Sequence, residues 1–157
     1  MEHDLPAWGD LADCEILVRI PDVDDSIERL ACRRVEKNDY EVCCLPFSLY
    51  EVCLGDTIRL ATPMLGQPGH ISEKVADGRR YLFRVSLVQP SRVNMQSAAS
   101  SLISMGHLVE VYSDMLISVD AADHDAAKSL AAYLQMQEDA GEWQYETGRL
   151  HDVAGDA

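Results

Sequence analysis

The sequence predicts an α+β protein: an antiparallel N-terminal sheet or half-barrel fused to a ferredoxin-like β-α-β-β-α-β half. Three observations carry that expectation. Residues 14–62 hold short apolar runs of strand length separated by turn residues, with no helical period. Residues 79–148 mix alternating strands with two apolar stripes at helical spacing. The segment between them, 63–78, is rich in glycine and proline and aperiodic, so it reads as a loop.

Taken in order, residues 1–13 are acidic and aperiodic and read as a flexible arm, with Trp8 beside Gly9 available to tuck against the body. Residues 15–20 form a strand that Pro21 and the acidic turn 22–26 terminate. Residues 27–35 and 40–45 read as a hairpin around the charged turn 36–39. Pro46 then fixes φ and holds Leu45 extended. Gly55 supplies the positive φ of a tight turn, and Asp56 has an oxygen to offer nearby backbone N–H groups. A fourth strand covers residues 56–61.

In the second half, residues 80–88 alternate as a strand and stop before Pro90. Met95, Ala98, Ala99, Leu102 and Ile103 lie on one helical face, with Ser91 or Asn94 as N-cap and Gly106 as terminator. Residues 108–112 and 115–119 flank Ser113-Asp114 as a two-residue hairpin turn. Asp120 or Asp123 caps a second helix striped by Ala126, Ala127, Leu130, Ala131 and Leu134, which Gly141 ends. Trp143 and Tyr145 mark a last strand, and residues 149–157 read as a frayed tail.

Composition narrows the function classes. The chain has 157 residues, 47% of them hydrophobic and 25% charged, which is ordinary for a globular protein. No apolar run approaches the ~20 residues of a membrane span, and the acidic start lacks the basic n-region of a secretory signal. The expected location is the cytoplasm. Five cysteines (Cys14, Cys32, Cys43, Cys44 and Cys53) follow no disulfide or C-x-x-C spacing and read as buried thiols. The net charge of −14 is uneven: residues 1–28 carry −8, residues 110–157 carry −9, and the middle carries +3. That field disfavours direct nucleic-acid binding and favours fast association with a basic protein. Acidic surfaces also serve solubility, which accounts for the charge without any partner.

Local motifs for chemistry are absent. His3, His70, His107, His124 and His151 show no H-x-x-x-H spacing, and there is no nucleophile elbow, P-loop or G-x-G-x-x-G. His107 paired with a cysteine is the nearest approach to a nucleophile–base arrangement, and chance contact explains it better. Asp22, Asp24 and Asp25 lack the glycine and distal glutamate of a calcium loop. Tyr81 and Phe83 lie outside any basic, glycine-rich RNA-binding motif.

Leu45-Pro46-Phe47, Leu54-Gly55-Asp56 and the helix, strand pair, helix and aromatic strand that follow make the chain similar to one family. It resembles the domain of unknown function 4265 family, small bacterial proteins of about this length, over about residues 14–147. Pro46, Phe47, Gly55 and Asp56 carry the resemblance as structural signature residues. It implies no assigned activity and therefore transfers no catalytic, cofactor or metal residues.

The function these features favour is a non-catalytic acidic protein-binding domain. It would be an immunity or inhibitor protein that blocks a basic partner such as a toxin. Asp22, Asp24, Asp25, Asp123, Asp125, Glu138 and Asp139 are the expected partner-binding acids, with Trp143 and Tyr145 as candidate anchors. The alternative is a ligand-sensing or regulatory domain with a cleft at the 62–78 loop. An enzyme with a site assembled from distant residues ranks below both.

Overall fold

Alternating apolar patterns build two antiparallel sheets in the computed structural model, which describes residues 1–61 and 67–148. Among these residues the chain runs β1 (Cys14–Arg19), β2 (Ile27–Arg34), β3 (Asp39–Val42), β4 (Thr57–Leu60), β5 (Ile71–Ala76) and β6 (Tyr81–Leu87). It continues through α1 (Arg92–Ser104), β7 (Leu108–Val111), β8 (Leu116–Ala121), α2 (His124–Asp139) and β9 (Trp143–Thr147).

The first sheet is a meander in the order β1-β2-β3-β4-β5. Its register pairs Ile16 with Leu30, Cys32 with Val42 and Tyr40 with Ile58, so one apolar face is continuous across the strands. Ile16, Val18, Leu30, Cys32, Val42, Ile58 and Leu60 form its core. The sheet curls until Gly69, just before β5, meets β1. Arg19 N–H donates to Gly69 O at 2.9 Å and Gly69 N–H to Leu17 O at 2.8 Å. The curl stops there, as a half-barrel without a continuous closing ladder.

The second sheet has the order β7-β8-β6-β9, with every neighbour antiparallel. Counted within this half, that is the ferredoxin-like order, with the first strand in the centre and its two βαβ crossovers split around it. Both helices cover one face, where Phe83, Val85, Ile117 and Val119 pack on Leu102, Leu130 and Leu134. Burying a leucine of that kind stabilises the fold by roughly 1.5–3 kcal/mol. Ser91 Oγ caps α1 by accepting from Asn94 N–H at 3.1 Å, and Asp123 caps α2 through Ala126 N–H at 2.8 Å. Gly106 and Gly141 end the helices at φ +91° and +75°.

Several elements differ from the sequence expectation. Residues 1–13 are a docked strap rather than a flexible arm. The Met1 amino group donates to Ile27 O at 2.8 Å, Arg29 N–H to Met1 O at 2.9 Å and Trp8 N–H to Cys43 O at 2.9 Å. Its apolar residues follow neither a helical nor an alternating period, so hydropathy could not show a segment held by hydrogen bonds. The expected loop at 63–78 contains β5, whose intermediate-to-exposed side chains give no alternating signal because it is an edge strand. The β7–β8 connection spans residues 112–115, closed by Tyr112 N–H to Leu116 O at 3.0 Å, and is longer than a two-residue turn. Ile103 is 58% exposed, because α1 buries the narrower stripe Met95, Ala98 and Leu102. The tail at 149–157 and residues 62–66 of the loop lie outside the described residues.

Candidate functional site: the seam between the sheets and the cleft beside it

Period-2 alternation places Leu82, Arg84, Glu110, Ser118 and Asp120 on the sheet face away from the helices, a face that reads as solvated. The structure buries all five. Their partner is the segment 45–51, which crosses the seam between the two sheets. Glu110 Oε1 accepts from Leu45 N–H at 2.8 Å, and Ser118 Oγ donates to Pro46 O at 3.0 Å. Glu28 of β2 accepts from Phe47 N–H at 2.5 Å and Ser48 N–H at 3.0 Å. Arg84 donates to Leu49 O at 2.5 Å, and Glu51 N–H donates to Gly148 O at 2.7 Å. An irregular segment buried between sheets has no ladder, so side chains must satisfy its backbone. Arg80 pairs with Asp120 in the same seam, where burial raises the Asp120 pKa against the pull of the guanidinium.

His3 of the strap joins the two sheets. Its Nδ1 lies 2.5 Å from Glu110 Oε2 and its Nε2 lies 3.1 Å from Glu28 Oε1, with all three side chains no more than 3% exposed. With both carboxylates as acceptors, each ring nitrogen would carry a proton, which is the imidazolium form. Burial alone would lower its pKa. Hydrogen bonds with Cys44, Glu110 and Glu28 overrule that and carry it up to about 11. Phe47 stacks on the ring at 4.5 Å with the planes 9° apart. The Pro-Phe signature therefore sits at the centre of the seam.

The Gly-Asp signature pins its other end. Asp56 is fully buried, and its carboxylate accepts from Cys53 N–H, Gly78 N–H and Lys74 Nζ, each at 2.8 Å. Gly55 adopts φ +79°, and its backbone approaches Gly78 so closely that a Cβ on Gly78 would lie 2.5 Å from Gly55 C. Trp8 covers the turn, with its ring 3.2 Å from the place of a Gly55 Cβ, while Arg80 lies over the same indole at 5.4 Å.

Beside the seam, a cavity of about 970 Å³ opens between the curled sheet and residues 47–52. Its inner wall is apolar, with Val18, Ile20, Leu49, Val52 and Ile58. Its charged lining side chains are Arg19 and Lys74 against Asp22, Glu51, Glu73 and Glu146, so acids are in excess among them. Asp22 and Glu51 hold left-handed backbone at φ 61° and 62°. Such conformations cost about 1–3 kcal/mol each and concentrate at functional sites. Tyr50 stands at the mouth, donating to Glu146 at 2.8 Å while Arg84 lies 4.7 Å from its ring. The Glu146 carboxylate and burial together raise the Tyr50 pKa.

The seven acids nominated from sequence do not converge. Asp22 lines the cavity, and Asp24 and Asp25 follow on the same exposed β1–β2 turn. Asp123 and Asp125 sit at the start of α2, whereas Glu138 and Asp139 sit at its end, roughly 20 Å away at helical rise. There Gln135 donates to Asp139 and also accepts from the Tyr145 hydroxyl. Trp143 is 8% exposed and belongs to the helix-side core, and Tyr145 packs partly buried against it. Sequence reasoning missed Glu28, Glu110, Arg84 and His3. Charged residues at alternate strand positions look solvated unless the second layer is known.

Burial disfavours the thiolate form at several cysteines. Burial pushes the thiols of Cys14 and Cys43 up to about 11 and that of Cys44 up to about 12, so they are protonated at neutral pH. Among the described residues no group of three or more His, Cys, Asp or Glu side chains is arranged to hold a metal ion. No helix among them is long and apolar enough to cross a membrane.

Residues 28–145 match the family model described as Domain of unknown function (DUF4265). The chain belongs to this family. The match begins at Glu28 and takes in both signatures, so it covers the 45–51 segment and most of both sheets but neither the strap nor β1. No curated protein matches the chain. Among solved structures it is similar to one described as "Novel crystal structure of a hypothetical protein from Neisseria gonorrhoeae". The TM-score is 0.67 at 10% identity, over 88% of this chain and 94% of that one. At that identity the likeness concerns the fold alone.

Proposed function

We propose that this family member is a non-catalytic binding domain that takes a basic segment of a partner protein in the cleft between the curled sheet and residues 47–52. Inhibition of a basic partner, as an immunity protein inhibits its toxin, is the form of the reading that suits a chain of net charge −14. The observation that carries it is the cavity itself: an apolar wall with acids in excess among its lining charges, two of them on strained backbone. Apolar burial supplies affinity at a desolvated centre, and the surrounding charge selects a cationic occupant. The protonated thiols favour binding over covalent chemistry.

The test is a low-salt pull-down from host lysate, eluted by a salt step, comparing the native chain with Asp22→Asn/Glu51→Gln and with Asp125→Asn/Glu138→Gln/Asp139→Asn. A stoichiometric basic protein retained by the native chain and the α2 variant, but lost from the cavity variant, is the expected result. Loss from the α2 variant alone moves the interface to the helix and overturns the cleft reading. A second reading, a small cationic ligand sensed in the same cleft, is favoured by the volume, which falls within the ~300–1,000 Å³ typical of small-molecule sites.

A further inference from the structure

Apart from the cleft, the seam gathers two buried acids and an aromatic ring around one histidine. Glu28 comes from β2 of the first sheet and Glu110 from β7 of the second. Both are buried, at 0% and 4% exposure, and both face one ring, that of His3. Phe47 closes the site by stacking at 4.5 Å, and Cys44 is the remaining titratable group against the imidazole. Two coplanar N–H donors, two carboxylate acceptors and one aromatic face are the recognition pattern for a planar cation. The other carboxylate oxygens are already committed: Glu110 Oε1 to Ala7 N–H and Leu45 N–H, Glu28 Oε2 to Ser48 N–H. The site is therefore tied to the backbone of the strap and of the 45–51 segment rather than formed by surface acids drifting together.

We infer that Glu28, Glu110 and Phe47 form a site for a planar monocation, an imidazolium or a guanidinium, and that the chain fills it in cis with His3, so that residues 1–8 act as a latched strap across the two sheets. An emptied site would leave two buried carboxylates without their cation, which is why an occupant is obligatory. The strap also borders the cleft: Met1 lines its wall and accepts from Ser48 Oγ at 2.8 Å. Release of the latch would therefore join the cation site to the cleft.

The test uses the full-length His3→Gly variant, which removes the ring and leaves the site. Its amide exchange at Leu45, Phe47 and Ser48 should be at least tenfold faster than in the native chain. Millimolar imidazole near pH 6, or methylguanidinium, should restore protection and raise Tm saturably, while neutral 1,2,4-triazole should not. Equal effects of all three probes on the variant and the native chain would overturn the inference. Should the glycine variant not fold, the native chain decides by nitrogen-15 NMR of the His3 ring. Two protonated nitrogens at pH 8.5 support the site, and a neutral ring at that pH overturns it.

Discussion

Glu28→Ala probes the seam most directly. The Glu28 carboxylate is fully buried and accepts from Phe47 N–H at 2.5 Å, Ser48 N–H at 3.0 Å and the His3 ring at 3.1 Å. Truncation strands two backbone donors, at about 1–3 kcal/mol each. It also removes one of two counter-charges from a buried imidazolium, a loss of about 3–5 kcal/mol when a pair is broken outright. These losses overlap, because water entering the hole re-solvates some of the groups, and Glu110 still holds the ring. The expected cost is about 5 kcal/mol, a large part of the ~5–15 kcal/mol that holds a domain together. Glu28→Gln keeps the shape and one acceptor oxygen but turns its amide toward a donor, so it should cost about 2–3 kcal/mol. Urea unfolding followed by tryptophan fluorescence measures both, with an unchanged m-value showing that the native state keeps its compactness. An alanine variant within about 1 kcal/mol of the native chain would refute the claim that Glu28 organises the Pro-Phe segment.

Two further outcomes follow from the same geometry. Gly78→Ala brings a Cβ to 2.5 Å from Gly55 C and 2.7 Å from Gly55 O, against backbone that cannot rotate away, and it should cost about 2–3 kcal/mol by thermal unfolding. The His3 pKa is raised on folding from 6.5 to about 11, so the native ring binds its proton more tightly than the unfolded one. Its contribution to stability is complete below about pH 6.5 and declines by up to about 1.4 kcal/mol per pH unit above that, vanishing past the folded pKa. The stability difference between the native chain and His3→Gln, measured from pH 6 to 10, should shrink along that slope. A difference constant across the range would show that His3 is neutral in the folded protein.

Short-range physics made most elements legible. The ferredoxin-like half could be read because its strands bury one face against helices, so apolar residues recur at Phe83, Val85, Ile117 and Val119. Its helices declared their ends through Ser91, Asp123, Gly106 and Gly141. The family signatures were visible as well, since Pro46 and Gly55 constrain backbone whatever surrounds them. β5 was hidden because an edge strand with mostly exposed side chains has the composition of a loop.

The site was less legible, and for a physical reason. Hydropathy records whether a side chain prefers water, not whether another layer will arrive to replace it. Arg84, Glu110, Ser118 and Asp120 alternate with the core residues as a solvated face would, yet the strap and the 45–51 segment cover them. By itself the sequence determined the two-part α+β plan, the family and the places where the backbone must turn. Only the tertiary structure decided that Glu28 and Glu110, 82 positions apart in the chain, share one imidazolium, because a buried charge takes its meaning from the partner that neutralises it.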